Sequence, residues 1–279
     1  MQYGKKIYGC SSKKMNLWEK YNLPPPKSEA SKGKLSCVEN EIYSGIEIPD
    51  LPVFVRLDGW KFHGLTRKLK LELPYDRFFA TCLVETSKTF FKIFNPSLAY
   101  IFSDEINLLF MKTPGWKRIE KIDSVFAGIA STSFMEKISE KHDVSFCSFD
   151  CRIIPVEYKN IIDYLIWRQA ECFRNHNNAY AYHVLRKKYS GRTATKMLKG
   201  KGTKELKEIA LKGKISLNKT PSWQRNGIMV YKESYIKDGY NPIKREKVRV
   251  KRYRVKEDWE IGVFNKKSWK DFIEKILEE

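Results

Sequence analysis

The sequence predicts an α+β fold whose core is ferredoxin-like, with strands and helices in the order β-α-β-β-α-β. Three observations predict this order. Four short apolar segments have the length of buried strands, two longer segments between them carry apolar residues at helical spacing, and turn residues separate them. The second half of the chain predicts helices followed by two more strands. We therefore expect a ferredoxin-like core with a helical and β region appended to it.

The predicted core begins with a buried strand, Val53 to Leu57, which Asp58 and Gly59 end. The next element is a helix with Asp76 as its N-cap, because a carboxylate at that position accepts hydrogen bonds from the free amides of the first turn. Right-handed crossovers make the first and second strands parallel and place the third between them. The remaining core elements are predicted at 76–94 (helix), 98–102 and 106–111 (strands), 118–139 (helix) and 146–149 (a strand that Asp150 ends).

The second half of the chain begins with one long predicted helix within residues 158–188. Residues 1–38 differ from the rest, since they are rich in Lys and Ser and contain three consecutive prolines, which break helices and strands. We expect three parts: an N-terminal extension at 1–38, a core domain at 39–157, and a helical and β region at 158–279. Within the last part, helices are predicted near 193–198 and 203–211, strands at 227–235 and 247–255, and a final helix from about Lys267.

The chain is strongly basic, with 53 Lys and Arg against 33 Asp and Glu and a formal net charge of +20. This imbalance favours a polyanionic partner, which is RNA, DNA or an anionic membrane surface; a basic surface kept for solubility is the alternative. No apolar stretch is long enough to cross a membrane, and the N-terminus lacks the apolar region of a signal peptide. The six cysteines form no disulfide pattern. We expect a cytoplasmic protein without a membrane partner.

Two acidic side chains lie at places that the predicted topology brings together. Asp58 follows the first strand and Asp104 lies between the second and third strands, so both belong to the same end of the sheet. Palm domains of polymerases and nucleotide cyclases place metal-binding carboxylates in this way. Two Mg²⁺ ions roughly 3.5–4 Å apart, bound by carboxylate oxygens, stabilise the attacking and leaving oxygens of nucleotidyl transfer. We therefore expect residues 39–157 to form a palm-like catalytic domain of the polymerase type; the alternative is that both sequences are ordinary turns.

The residues beside these carboxylates extend the predicted site. Glu105 adds a third carboxylate and Ser103 a hydroxyl, while Gly59 lets the backbone approach a metal or phosphate without a side-chain clash. His63 is suited to contact a phosphate or a base, although a lone histidine is more often packed inside a fold. These residues predict a site for nucleotide as well as metal.

Basic side chains near the same end predict contacts with a triphosphate. Arg56, Lys61 and Arg67 flank the first carboxylate. Arg118 and Lys121 lie at the start of the second predicted helix, whose N-terminal amides also favour anions. The alternative for all of them is a solvated charged face.

Polar and basic residues in the second half predict contacts with RNA. Arg168, Arg174 and Asn175 lie on the long predicted helix, where they either line a groove for RNA or nucleotide or form a polar network between helices. A cluster of lysines follows, separated by glycines, and it is typical of contacts with a phosphate backbone. Its members expected to bind RNA are Lys199, Lys201 and Lys204.

Five sequence blocks carry a resemblance to a known family. In chain order they are VRLDGWKFHGLTR (55–67), FSDEINLLF (102–110), FDCRIIPVE (149–157), DYLIWRQAECFRN (163–175) and TPSWQRNGIMVYK (220–232). Their order and spacing over residues 39–255 resemble the tRNA-His guanylyltransferase family. The resemblance is closer to the archaeal-type and guanylyltransferase-like branch than to the eukaryotic enzymes. Arg152, in the third block, joins the residues expected to contact RNA.

The resemblance implies a polymerase-like palm that extends tRNA at its 5′ end. A 5′-monophosphate is activated by a nucleoside triphosphate, typically ATP. The 3′-hydroxyl of GTP then attacks the activated phosphate, and pyrophosphate is removed later. Carried over to this chain, Asp58, the carbonyl of Gly59 and Asp104 bind two Mg²⁺ ions, with Glu105 beside them as a further catalytic residue. The implied nucleotide contacts are Asp58, Gly59, Trp60, Lys61, Phe62, His63, Ser103 and Asp104. The implied partners are tRNA, GTP and ATP, and the implied assembly is a homotetramer.

Three positions depart from the family pattern. The family usually has Arg where this chain has Trp60, and Lys where it has Leu73. The eukaryotic branch has a His, linked to anticodon recognition, at the position of Phe173. We therefore expect addition of GMP or of templated nucleotides in the 3′–5′ direction. The alternatives are template-dependent 5′-end repair only, a nucleotide cyclase-like palm enzyme, and a non-catalytic RNA-binding protein.

Overall fold

The computed structural model describes residues 45–243 and 245–278 of the 279-residue chain. The predicted extension at 1–38 lies outside the described residues. The described part is a mixed α/β structure with a six-stranded sheet in the order β4-β1-β3-β2-β5-β6. The strands are β1 Val53–Gly59, β2 Leu98–Phe102, β3 Glu105–Phe110, β4 Phe149–Pro155, β5 Ile228–Asn241 and β6 Glu246–Asp258. The helices are α1 Phe62–Lys68, α2 Arg77–Ile93, α3 Ile119–Ile138, α4 Ile161–Arg186, α5 Gly191–Leu198, α6 Thr203–Lys212, α7 Ser222–Asn226 and α8 Lys267–Glu278.

The core topology confirms the predicted ferredoxin-like arrangement. β3 pairs antiparallel with both β1 and β2, so β1 and β2 run in the same direction with β3 between them. β4 pairs with the free edge of β1, and β5 with the free edge of β2. Strands from both halves of the chain therefore share one sheet, and residues 47–279 form one compact unit. The boundary at residue 157 stays a prediction.

The two faces of the sheet bury different helices because successive strand residues point to opposite sides. Val53, Val55 and Leu57 face a core shared with α2 and α3. Phe54 faces the other core, shared with α4 and α8. The helix α2 begins as predicted, since a carboxylate oxygen of Asp76 accepts a hydrogen bond from the Phe79 amide at 2.9 Å. The four core strands are thus held between helices on both faces.

The fourth core strand lies later in the chain than predicted. The expected strand at 146–149 is wrong, because Phe146 is 63% exposed and β4 begins only at Phe149. Pairing with β1 decides its position: Phe149 lies opposite Gly59 and Pro155 opposite Val53. β4 is an edge strand whose side chains are mostly half-exposed, so it lacks the continuous apolar run that marks a buried strand.

The remaining predicted elements are confirmed within a few residues, except that β5 continues to Asn241, six residues beyond the predicted strand. Two short helices, α1 and α7, were not predicted. A 3₁₀ turn at Tyr158–Asn160 precedes α4. None of the helices in the described part of the chain is long and apolar enough to cross a membrane.

Candidate active site

The backbone joins Asp58 and Asp104 directly. The Gly59 amide donates a hydrogen bond to the Asp104 carbonyl oxygen at 3.1 Å, and Asp58 lies opposite Glu105 in the β1–β3 pair. Both carboxylates therefore lie where β1 ends and the β2–β3 hairpin turns. Ser103, in this turn, has a φ of 52°. The predicted juxtaposition of Asp58 and Asp104 is confirmed.

Gly59 is required by the helix that follows it. A Cβ atom at this position would lie 2.4 Å from the ring of Phe62, which starts α1 and is 2% exposed. The Phe62 ring packs against the rings of Phe134 and Phe149, with centroids 5.1 and 4.9 Å away. The Phe62 ring therefore belongs to the core, and the nucleotide contact predicted for this residue, which stays a prediction, is left to its backbone.

Asp150 is a further carboxylate at this end of the sheet, and the sequence prediction treated it only as a strand end. β4 places it directly opposite Asp58 on the free side of β1. One of its carboxylate oxygens is buried without a hydrogen bond, and the nearest cation is Arg152 Nε at 3.6 Å. The error in the position of β4 hid this residue. The alternation of polar and apolar residues from Phe149 to Ile153 was the signal that could have found it.

The acidic residues repel one another and change each other's protonation. Burial raises the pKa of Asp58 to about 6, and the charges of Asp104, Glu105 and Asp150 add to this shift, while Arg152 opposes it. Burial also raises the pKa of Asp104. The Ser103 hydroxyl, which donates to Asp104 Oδ1 at 3.0 Å, and the charge of the nearby His63 act in the opposite direction. A bound cation would relieve this repulsion.

These donors fit a hard divalent cation. Carboxylate and carbonyl oxygens are the ligands that Mg²⁺ prefers, and Mg²⁺ keeps part of its shell for water and phosphate oxygens. Among residues 45–243 and 245–278, no three His, Cys, Asp or Glu side chains converge enough to hold a metal by themselves. The protein ligands would therefore be the side chains of Asp58 and Asp104 together with the Gly59 carbonyl, completed by substrate.

Glu105 and Arg168 form a buried ion pair. Arg168 donates from Nε and Nη2 to the two oxygens of Glu105, at 2.9 and 2.7 Å. Asn107 also donates to Glu105 Oε1 at 2.8 Å, and the Tyr164 hydroxyl donates to Asn107 Oδ1 at 2.7 Å. Both members of the pair are more than 90% buried. Arg168 therefore belongs to a polar network inside the protein, which is the alternative to an RNA contact that its sequence position left open. The catalytic role of Glu105 stays a prediction.

Arg118 and Lys121 lie at the opposite end of the sheet. β3 runs antiparallel to β1, so Phe110 at its end lies opposite Val53 at the start of β1, and α3 begins on that side. The β1 strand spans seven residues, or roughly 20 Å. The prediction that Arg118 and Lys121 bind a triphosphate beside Asp58 is wrong for this reason.

Several other predicted side chains do surround the carboxylates. Trp60, Lys61 and His63 are exposed directly after β1, and Arg152 is exposed on β4, opposite Arg56. The Trp60 amide donates to the Ser148 carbonyl at 2.8 Å, and the Lys61 ammonium lies 4.2 Å from the centre of the Trp60 ring. We call Asp58, Asp104, Glu105 and Asp150 the acidic cluster. Three cations, Arg56, Lys61 and Arg152, and the exposed indole of Trp60 lie around it.

The Trp60 ring has an exposed aromatic neighbour that the sequence prediction missed. Phe146 meets it at a right angle, with ring centroids 6.3 Å apart. Trp60 is 49% exposed and Phe146 63%. Phe146 was hidden because its segment was predicted to be a buried strand.

The residues predicted to contact RNA from the second half have different surroundings. Arg174 is exposed and pairs with Glu171, and Asn175 is half-buried on α4. Lys199, Lys201 and Lys204 lie in and beside the turn between α5 and α6; Lys199 and Lys204 are exposed, whereas Lys201 pairs with Glu205 at 2.7 Å. Their contact with RNA stays a prediction.

Two family models match this chain. The model described as tRNAHis guanylyltransferase matches residues 39–157, and the model described as Thg1 C terminal domain matches residues 159–267. A tRNA(His) guanylyltransferase from Debaryomyces hansenii is 26% identical over 241 residues, which cover 80% of this chain and 91% of that protein. The tRNA(His) guanylyltransferase of Schizosaccharomyces pombe is 25% identical, covering 83% of this chain and 93% of that protein.

Solved structures give the same result. A bacterial tRNA(His) guanylyltransferase (Thg1)-like protein in complex with ATP has a TM-score of 0.69 and 25% identity, covering 86% of this chain and 96% of that one. A complex of such a bacterial protein with GTP has a TM-score of 0.64 and 25% identity, covering 89% of this chain and 100% of that one. Since the two family models together match most of its residues, this chain belongs to the tRNAHis guanylyltransferase family of nucleotidyltransferases.

Proposed function

We propose that this protein adds nucleotides to the 5′ end of tRNA in the 3′–5′ direction, either GMP or the nucleotide that a template base specifies. The substrates are tRNA, GTP and ATP. Family membership implies a divalent metal, and we assign two Mg²⁺ ions to the site at the end of β1. The tRNA(His) guanylyltransferases among the relatives and the bacterial complexes with ATP and GTP support the choice of tRNA, GTP and ATP as substrates.

One observation carries the proposal, namely the backbone hydrogen bond from Gly59 to Asp104. It brings two carboxylates and a glycine carbonyl together at one end of a palm-like sheet. An RNA-binding protein without catalytic activity would have no need for several acidic groups that repel both each other and the RNA phosphates. Burial and the repulsion among these acids both raise the pKa of Asp58, which is a cost that a bound cation would offset.

The side chains around this cluster have separate tasks in the proposal. The carboxylates of Asp58 and Asp104, with the Gly59 carbonyl, hold the metal ions. Bound Mg²⁺ supplies stabilisation of the charge that develops on the attacking and leaving oxygens. Lys61, Arg56 and Arg152 hold the triphosphate, because each lies beside the carboxylates on β1, β4 or the turn after β1.

Glu105 contributes indirectly. Its carboxylate is fixed by Arg168 and Asn107, so it cannot swing towards a ligand without breaking three hydrogen bonds. We assign it and Arg168 as positioning residues that tie the β2–β3 hairpin, and with it Asp104, to the helix α4.

The experiment that tests the proposal uses the full chain, 5′-phosphorylated tRNA, labelled GTP, ATP and Mg²⁺. The expected product is a tRNA one nucleotide longer at its 5′ end, formed only when the divalent metal is present. Formation of a cyclic nucleotide without RNA would support a cyclase instead, and RNA binding without any new bond would support a binding protein. The homotetramer that the resemblance implies stays a prediction, and the molar mass measured by light scattering tests it.

A further inference from the structure

A long two-stranded ribbon leaves the sheet at the end opposite to the carboxylates. β5 pairs with β2 only from Ile228 to Tyr231, whereas β5 and β6 pair with each other as far as Asn241 and Glu246. Beyond Tyr231, no third described strand lies beside them. At about 3.3 Å per residue, these roughly ten residue pairs extend about 33 Å. We call residues 232–256 the basic ribbon.

The basic ribbon carries an excess of positive charge. Its sequence contains ten Lys and Arg against three Asp and Glu. Glu233 pairs with Arg254 and Lys256, at 2.6 and 2.5 Å, and Asp238 pairs with Arg249 at 3.3 Å. Within the described residues, the cations left without a carboxylate partner include Lys237, Lys247, Lys251 and Arg252.

These four cations occupy both faces of the ribbon. Lys237 and Arg252 belong to one face, whereas Lys251 and Lys247 lie opposite Ile236 and Tyr240 on the other. The cations are interleaved with exposed rings: Tyr235, Tyr240 and Tyr253 are 38%, 61% and 49% exposed. The Lys251 ammonium lies 5.4 Å from the centre of the Tyr253 ring. Cations among aromatic side chains are the surface that single-stranded and looped nucleic acids bind, through phosphates and stacked bases.

We propose that the basic ribbon binds the phosphate backbone of the RNA substrate at a distance from its reacting 5′ end. The identity of that RNA rests on the proposed function. Charge argues against a second copy of the chain as the occupant, because two ribbons on molecules of net charge +20 repel each other. Cations on both faces argue against a membrane, since a flat anionic surface contacts only one face.

The position of the ribbon determines what it contributes to the reaction. β5 begins beside Ile101 at the carboxylate end of β2 and reaches Leu98 at the other end before it leaves the sheet. The ribbon therefore lies roughly 15 to 45 Å from the acidic cluster, as judged from the rise per strand residue. A contact so far from the reacting atoms strengthens RNA binding and lowers KM, and it leaves kcat unchanged.

The test compares two triple variants of equal charge. The first is Lys247→Gln/Lys251→Gln/Arg252→Gln in the ribbon. The matched control is Lys266→Gln/Lys267→Gln/Lys275→Gln, which removes three exposed cations at and before α8. Binding of a 5′-phosphorylated tRNA transcript is measured from 50 to 300 mM KCl by fluorescence anisotropy, together with GTP affinity and the melting temperature of each variant.

The ribbon variant is expected to lose roughly tenfold or more in RNA affinity and to reduce the slope of log affinity against log salt by about three, one for each phosphate contact. The control is expected to change both values little, and GTP affinity is expected to stay the same in both. If the chain adds no nucleotide but the salt slope changes as stated, the ribbon assignment stands and the proposed function fails.

Three results would overturn the ribbon assignment. The first is an RNA affinity and salt slope equal to those of the control. The second is unchanged RNA binding with loss of binding to vesicles of phosphatidylserine and phosphatidylcholine, which would make the ribbon a membrane contact. The third is unchanged RNA binding with a different oligomeric state by light scattering, which would make it an interface between copies.

Discussion

At the residue scale, the acidic cluster contains side chains with two kinds of role. Asp58 and Asp104 are half-buried and have free oxygens, whereas Glu105 is fully committed to Arg168 and Asn107. Replacing Asp58 or Asp104 should therefore lower the rate of nucleotide addition. Breaking the Glu105–Arg168 pair should instead lower the free energy of unfolding.

Asp58→Asn and Asp104→Asn should each lower the rate of nucleotide addition at least about a thousandfold, because loss of a metal ligand removes several kcal/mol of charge stabilisation in the transition state. RNA affinity should not fall, since the lost charge is negative. Single-turnover rates with 5′-phosphorylated tRNA at saturating Mg²⁺ measure this. Glu120→Gln, an exposed acid in the first turn of α3 at the opposite end of the sheet, is the control. Wild-type turnover in either site variant would refute the metal assignment.

Arg168→Met should destabilise the fold by about 3–5 kcal/mol, because it leaves the Glu105 carboxylate buried without its counter-charge. Combining it with Glu105→Gln removes that unpaired charge and should recover a large part of the loss. Urea unfolding of the two single variants and the double variant measures the coupling. Additive effects in this cycle would mean that the pair does not interact as the structure shows.

At the element scale, the site depends on how β1 passes into α1. Gly59 ends the strand, and Phe62, three residues later, turns into the core and closes over it. The helix has no side-chain cap and no acidic residue in its first turn, so this packing, rather than capping, fixes its start. The same turn presents Trp60, Lys61 and His63 to the carboxylates.

Gly59→Ala should destabilise the protein by about 1–3 kcal/mol, because its Cβ would lie 2.4 Å from the Phe62 ring and force that ring to move. Nucleotide addition should fall with it, since the same turn carries the Asp104 hydrogen bond. Gly64→Ala, in the helix α1 that follows Gly59, is the control: no atom lies within 4 Å of the new Cβ. It should stabilise by roughly 0.5–1 kcal/mol. Thermal unfolding of both variants checks this, and equal effects would contradict it.

At the scale of the whole molecule, exposed cations lie at both ends of the sheet in the described part of the chain. Lys61 and Arg152 lie at the carboxylate end, and the basic ribbon lies at the other end. α4 carries Phe173 and Arg174 beyond the site, and α5 and α6 pack against its second half. The basic ribbon leaves from the other end. A substrate much longer than a nucleotide is needed to touch both, and a folded RNA of net negative charge meets that requirement.

Substrate choice should depend on the base opposite the vacant 5′ position more than on the anticodon. The position linked to anticodon recognition in the eukaryotic branch is Phe173, a half-buried apolar side chain, and reading unstacked bases requires polar groups. Swapping the anticodon of tRNA-His should change kcat/KM by less than about tenfold, or 1.4 kcal/mol. A tRNA that lacks its first 5′ nucleotide should regain the Watson–Crick complement. A loss of several hundredfold on anticodon change, with no response to the template base, would contradict this.

The order of elements and the two principal carboxylates are determined by the sequence itself. The buried strand β2 is a continuous apolar run, and β1 is apolar up to Asp58 apart from Arg56. The right-handed crossover leaves few ways to connect such strands, so the amino-acid pattern alone places Asp58 and Asp104 together. Residues that depend on edge strands are not predictable in this way. β4 alternates apolar and polar residues over Phe149 to Ile153, which indicates a strand, but the register that brings Asp150 to Asp58 is decided by pairing with β1.

Only the tertiary structure decides which charged residues are free to bind a ligand. Arg168 and Arg174 are six residues apart on one helix. Arg168 forms a buried ion pair with Glu105 on β3, whereas Arg174 is exposed. Arg118 and Lys121 have a suitable sequence position but lie at the far end of the sheet, because the strand before them runs antiparallel. Local sequence sets periodicity and chirality, whereas the partner of a buried charge comes from a distant segment, and no local pattern encodes it.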